Sequence, residues 1–225
     1  MRFTIRTKED LTAAVEEYGI LPLFRNSLPG FSIAEHVDPI AWFDSGQDGV
    51  WEWKGPAIRE TGCAYGKFFE RKAAFVSREW FPDLANFRRD GYDFDARWDD
   101  GLASFGDKTL YDLVEANAPL LSMDLKRLGN YGKEGRKGFE PAIARLQAQC
   151  YVITGDFVYL TDKHGKQYGW GVAEYTTPER FYGASFTDTV YARAPEESRE
   201  RLLAQLAKLV PEASEGTLIK FLTRI

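Results

Sequence analysis

Between Lys126 and Lys166 lie eight basic side chains, Lys126, Arg127, Lys133, Arg136, Lys137, Arg145, Lys163 and Lys166, against the four acids Glu134, Glu140, Asp156 and Asp162. The whole chain carries 29 Lys and Arg against 34 Asp and Glu, a net charge of −5, so the segment is +4 and the remainder −9. An acidic protein that gathers its cations on one stretch offers a single anion-facing surface rather than general stickiness. Lys133, Arg136 and Lys137 fall in a glycine-punctuated loop, Gly129 to Gly138. Arg145 is the one side chain on its helix face suited to bidentate contact with a base edge. Lys163, His164 and Lys166 gather at a turn where they would touch phosphates, although a solvated turn is an equal alternative. These seven residues are the candidate contacts to double-stranded DNA.

A second set could form a pocket. Trp51 and Trp53 would share one side of a strand and stack a base, the competing reading being core or interface. Lys67 joins them as a candidate, as do Arg88 and Arg89, which lie in the aromatic and charged stretch Glu79 to Asp95 and could hold a phosphate. Asp90, Asp93 and Asp95 could in principle ligate a hard cation, but without the glycine and glutamate of a calcium loop they read as a solvated turn, and no metal is expected. The two histidines, His36 and His164, belong to no HExxH motif or nucleophile elbow. The glycines of 129–138 are not followed by GK[ST] and do not follow a strand, which excludes a Walker loop and a dinucleotide fingerprint. No cofactor is expected. Cys63 and Cys150 stand in apolar neighbourhoods with no CxxC and read as buried thiols.

These residues need a scaffold, and 225 residues with 44% hydrophobic and 15% aromatic content can bury a core. The spacing predicts an α+β fold built around a winged helix-turn-helix module at 105–178. Asp107 reads as the cap of a first helix, ended by Pro119, and Ser122 as the cap of a short second helix stopped by Gly129. A third helix runs from about Phe139 to Gln149, with Phe139, Ile143, Leu146 and Cys150 on its apolar stripe. A hairpin, the wing, turns at Asp162-Lys163-His164-Gly165. If Thr161 pairs with Lys166, Tyr159 faces Tyr168 and Phe157 faces Trp170. Before the module, 1–104 reads as an α+β region. It has a helix opened by Thr7 and ending near Tyr18-Gly19, a second helix begun by Ser32 with Glu35 in a capping box, and a hairpin bent at Glu70-Arg71. After it, 179–225 reads as helices from Glu196 to Val210 and from Ser214 to Leu222, bracing the module. No internal repeat stands out. The opening Met1 to Arg6 is not followed by the apolar run of a leader, and no window approaches the ~20 apolar residues of a membrane span, so a cytoplasmic protein with no membrane partner is expected.

The runs Ala64 to Phe69, Phe81-Pro82 to Tyr92, Leu146 to Gln149 and Tyr168 to Val172 resemble the bacterial proteins grouped as AlkZ-related. That resemblance covers most of the chain and implies distant kinship to AlkZ-type DNA glycosylases, tandem winged helices that excise alkylated bases or unhook crosslinks. It implies DNA binding or DNA repair. Those enzymes position the attacking water with a Gln-x-Gln motif, and Gln147-Ala148-Gln149 has that form, which makes Gln147 and Gln149 the catalytic candidates of a glycosylase-like activity. Here the motif ends the third helix of the module, whereas the family places it near the N-terminus. Two residues apart on a helix, side chains diverge by about 160°, so the pair would converge only if the helix had already given way to a strand. The alternative function is a winged-helix scaffold that binds a protein partner through its acidic N-terminal half.

Overall fold

The computed structural model describes residues 4–42 and 49–225. Residues 1–3, the start of the run read for a leader, lie outside the described residues, as do 43–48. The first helix, α1 (Lys8–Tyr18), begins where Thr7 Oγ1 accepts from the Asp10 N–H and Asp10 answers from the N3 position; it ends at Gly19, which takes the left-handed conformation. Strand β1 (Ile20–Pro22) follows. Ser32 opens only a 3₁₀ turn, Ile33–Glu35, because its hydroxyl donates to the Glu35 carboxylate at 2.7 Å instead of capping backbone. A short α2 (Pro39–Trp42) precedes α3 (Val50–Thr61). The hairpin of β2 (Ala64–Phe69) and β3 (Lys72–Val76) turns through Glu70 and Arg71, both left-handed at φ 51° and 59°. That two-residue turn usually calls for glycine or asparagine. Here the Glu70 N–H is received by the Arg224 carbonyl and its carboxylate pairs with Lys72, contacts that hold the bend.

Next come α4 (Phe81–Arg89) and α5 (Phe94–Asp99), then α6 (Phe105–Asn117). Ser104, not Asp107, is the cap of α6. Asp107 sits at N3 of the capping box, which moves the helix start three residues earlier than the sequence reading placed it. Strand β4 (Leu120–Leu121), α7 (Ser122–Leu128), α8 (Phe139–Ala148) and the long hairpin β5 (Ile153–Thr161) with β6 (Gln167–Thr176) complete the second half. The chain closes with α9 (Pro178–Tyr182), α10 (Ala184–Val190), α11 (Pro195–Leu209) and α12 (Glu215–Thr223).

The six strands among the described residues form one antiparallel sheet in the order β1-β3-β2-β5-β6-β4. That order is palindromic in role. In each half a helix leads to a short strand, then to further helices, then to a hairpin whose second strand pairs with the short one. The halves meet at Tyr65 opposite Thr154, so one row of paired residues, Leu21, Phe75, Tyr65, Thr154, Tyr175 and Leu120, crosses the whole sheet. The internal repeat is one of topology, which is why no periodicity in the residues announced it.

Alternation of side chains makes three cores. Leu21, Tyr65 and Phe75 pack with Leu11, Val15 and Ile58 of α1 and α3, while Leu120 and Tyr175 on the same face pack with Leu110, Leu125 and Leu146 of α6, α7 and α8. The opposite face, with Ile20, Ala64, Val76 and Ile153, is covered by α4, α10, α11 and α12. The C-terminal helices therefore brace α4 and β2 rather than the second half alone. Buried Asp83 of α4 fixes α11 there, accepting from Ser198 at 2.8 Å and Arg201 at 2.9 Å. Each half also reaches into the other, since α3 packs on β5 and α8 on β2. Among the described residues no helix is long and apolar enough to cross a membrane.

Candidate functional site

The contact of α3 with β5 builds a cavity that combines aromatic walls with a buried cation. Gly55 lets the helix approach: a Cβ there would lie 2.9 Å from Asp156 Oδ1. Asp156 pairs with Arg59 of the same helix and accepts the Phe157 N–H at 2.7 Å. Three residues apart on α3, Trp51 and Lys54 share a face and look toward the hairpin. The hairpin answers with an irregularity. Its loop is longer than a four-residue turn, because Asp162 Oδ1 accepts from the N–H groups of His164 and Lys166 and pairing resumes at Thr161 opposite Gln167. Pairing then breaks between Leu160–Tyr168 and Val158–Val172, where Gly169, Trp170 and Gly171 stand against the single residue Tyr159.

That bulge corrects the expected register. Tyr168 faces Leu160 rather than Tyr159, and Phe157 faces Ala173 rather than Trp170. Gly169 is left-handed at φ 72°, and a Cβ on Gly171 would come within 3.1 Å of the Phe157 Cβ and 3.2 Å of the Tyr159 ring. The two glycines thus free Trp170 from the ladder, and its ring lies 6.3 Å from that of Trp51 at 64°. Trp51, Lys54, Tyr159, Trp170 and Gly171 line a cavity of about 330 Å³, at the lower end of small-molecule sites. Behind Trp51, Trp42 and Phe24 continue the aromatic cluster at 6.1 Å each.

Lys54 is only 7% exposed and its Nζ lies between two ring faces, 4.3 Å from Trp51 and 4.2 Å from Phe157. Burial pushes its pKa down to about 8, with Glu52 acting in the opposite direction. The ring faces also favour the ammonium and hold it in place. Burial raises the Tyr159 phenol, and Glu52 adds to that rise.

The basic candidates divide into two groups. Lys133, Arg136, Lys137, Lys163 and Lys166 form no ion pair with any described residue, whereas Lys126, Arg127 and Arg145 pair with Glu140, Asp124 and Asp107. Arg145 is therefore not the free base-reading side chain expected of it. Its Nε and Nη2 grip buried Asp107 at 2.6–3.1 Å and tie α8 to α6. In the loop between α7 and α8, Arg136 donates to Thr109 Oγ1 at 3.1 Å and Lys137 to the carbonyls of Gly132 and Lys133. Gly135 is required there, since a Cβ would lie 2.1 Å from the Asn130 carbonyl oxygen. Lys163, His164 and Lys166 are exposed at the hairpin tip.

The second expected set is dispersed. Trp51 and Trp53 stand on a helix, not a strand, so they point apart: Trp51 lines the cavity and Trp53 is buried in the first-half core. Arg89 is fully buried, donating to Glu179 at 2.6 Å and to the Cys150 carbonyl at 2.8 Å, and Arg88 donates to the Phe68 carbonyl at 3.0 Å. Both serve the interior rather than a bound phosphate. Lys67 lies on β2, and its N–H is received by Gln147. Asp93 caps α5 through the Ala96 N–H, and Asp95 lies 3.7 Å from Lys108. Among the described residues no group of three or more His, Cys, Asp or Glu converges on a point. Both cysteines are buried and their thiols pushed up to about 12.

Gln147 and Gln149 are also separated. Helix α8 runs through Ala148, and the strand starts only at Ile153, so the pair never shares a strand face. Gln147 is buried, accepting from Lys67 N–H at 3.3 Å and donating to Thr154 Oγ1 at 3.1 Å, while Gln149 is half-exposed at the helix end.

A family profile described as AlkZ related matches residues 5–223. The chain belongs to the AlkZ-related family. No curated protein and no solved structure matches it. What sequence reasoning missed in this AlkZ-related chain is the role of Lys54, Tyr159, Trp170 and Gly171. The visible signals were Gly169-Trp170-Gly171, a large aromatic between glycines in a strand, and the Trp51-x-x-Lys54 spacing, which becomes one face once the segment is a helix.

Proposed function

We propose that this is a cytoplasmic, DNA-binding protein of the repair kind, in which each half is a winged helix and the β5–β6 wing grips duplex DNA. Helix, strand, helix, helix and hairpin, with β4 pairing β6, support the winged-helix reading of the second half. The same order in the first half, with β1 pairing β3, extends it to the tandem arrangement that kinship to AlkZ-type glycosylases implies. The observation that carries the proposal is the hairpin itself. Its tip bears Lys163, His164 and Lys166, whose side chains form no ion pair with a described residue although the Asp162 carboxylate accepts from the backbone N–H groups of the last two, and its root bears Trp170 and Tyr159 across a cavity from Trp51. Trp170 follows Lys166 by four positions, at most about 14 Å of chain. Phosphates held at the tip thus leave an unstacked base within reach of aromatic walls. Lys133, Arg136 and Lys137 add a second cationic cluster on the same module.

The test is anisotropy of two labelled duplexes, one fully paired and one carrying a single extrahelical base. The proposal requires both to bind and the extrahelical base to be preferred, with Trp170→Ala abolishing that preference. Equal affinities for the two duplexes, unchanged by Trp170→Ala, count against a base-accepting cavity.

A second reading, a winged-helix scaffold for a protein partner, is favoured by the exposure of Tyr168 and Trp170 on the hairpin, 54% and 65%. It requires that neither duplex binds.

A further inference from the structure

Lys54 stands apart from the other lysines that touch the fold. Lys8, Lys72, Lys108 and Lys126 each meet a carboxylate, whereas Lys54 is nearly buried and makes no hydrogen bond or ion pair with any described residue. Its amine sits between the rings of Trp51 and Phe157, on the wall of a cavity large enough for a sugar and part of a stacked base. A desolvated lysine held in an apolar pocket is the usual form of an amine that attacks carbonyl carbon.

We propose that Lys54 is a nucleophilic amine and that the cavity takes the aldehydic deoxyribose of an abasic site. The inference rests on the DNA-binding reading above. The neutral Nζ donates its lone pair to C1′ of the ring-opened sugar, forming a C–N bond while the carbonyl π pair moves to oxygen. The resulting carbinolamine loses that oxygen with the two amine hydrogens as water, leaving an imine between Lys54 and C1′. Nothing is oxidised or reduced. Trp170 and Tyr159 provide faces for the neighbouring base, and Trp51 and Phe157 keep the amine in one position.

At neutral pH an ordinary lysine is almost wholly protonated, whereas a pKa near 8 leaves about one amine in ten neutral at pH 7. The charged and titratable groups around it are few. Glu52 on α3 favours the ammonium, Tyr159 faces it from β5, and Asp156 on the same strand is taken by Arg59. Of the cavity walls on β6, Trp170 and Gly171, neither titrates.

The experiment incubates the full chain with a duplex carrying one abasic site in the presence of sodium borohydride, which reduces an imine to a stable secondary amine. Adducts are located by peptide mass spectrometry and binding is followed by anisotropy. The expected result is an adduct on Lys54 that forms faster as pH rises, with a midpoint near 8. It falls at least about 20-fold in Lys54→Arg, which keeps the cation between the rings, and is absent with a tetrahydrofuran analogue that has no aldehyde. If Lys54→Arg or Lys54→Met fails to fold, the peptide map of the unaltered protein decides. An adduct spread over Lys163, Lys166 and other surface lysines overturns the inference. So does a duplex that binds without any adduct, which leaves the DNA reading standing, while absence of binding to any duplex overturns both.

Discussion

Replacing Gln147 by alanine separates a structural brace from a catalytic pair. The Gln147 carboxamide spans the junction of the two halves: Oε1 accepts from the Lys67 N–H of β2 and Nε2 donates to Thr154 Oγ1 of β5, with Gln147 and Thr154 each 3% exposed. Alanine leaves a half-buried N–H and a buried hydroxyl without their partner, at roughly 1–3 kcal/mol for each desolvated group, less whatever relaxation allows. A total near 3 kcal/mol is reasonable. For a chain of this size each kcal/mol lowers Tm by about 2–4 °C, so Gln147→Ala should melt about 6–12 °C below the parent. Gln149→Ala, half-exposed at the helix end, should stay within about 0.5 kcal/mol. Thermal unfolding by circular dichroism measures both, and a cycle with Thr154→Val should return a coupling of about 1 kcal/mol. If Gln147→Ala melts with the parent, the brace is wrong. If base excision is then lost without a change in Tm, the glutamine belongs to chemistry instead.

Three further outcomes follow from the geometry. Arg145→Ala should destabilise by roughly 1–3 kcal/mol, because it strands the buried Asp107 carboxylate, yet leave the salt dependence of duplex binding unchanged; a slope reduced without loss of stability would put Arg145 back on the DNA. Gly171→Ala should cost about 1–3 kcal/mol by pressing on Phe157 and Tyr159, while Gly132→Ala, with open space around it, should be nearly silent in the same urea titration. Lys54→Met should raise stability at pH 7. The folded pKa of about 8 lies below the ordinary 10.5, so below pH 8 burial of the ammonium is a full penalty, and it disappears as pH rises to 10.5. That gap corresponds to about 3 kcal/mol at most, reduced by the two ring faces. Parent and variant should therefore converge in stability between pH 8 and 10.5, and a gap independent of pH would refute the assignment.

Local signals were well preserved in the residues. Thr7, Gly19, Gly129, Pro211 and Ser214 mark element ends by capping chemistry that acts within four residues, and the structure places helix boundaries beside each. Gly55-Pro56 hid a helix: an interior proline argues against one, but tertiary contact between α3 and β5 outweighs that local cost. Reading Trp51 and Trp53 onto a strand then put them on one side and left Lys54 out of the site. Arg88 and Arg89 looked like surface cations because nothing in their neighbourhood reveals Glu179, Cys150 or Phe68, which are brought to them by the fold. The hairpin register failed for a similar reason, since a bulge at Gly169 to Gly171 depends on Tyr159 and Phe157 across the ladder. The duplicated topology is visible only in strand order.

The most direct test of the account is the slope of log affinity against log salt for a labelled duplex, with Lys163→Ala and Lys166→Ala measured beside the parent. Each tip lysine that holds a phosphate should reduce the slope by about one when removed, with affinity falling alike for all duplex sequences. A duplex that binds with the same slope after both tip lysines are lost, or that does not bind at all at low salt, contradicts the claim that this hairpin meets DNA.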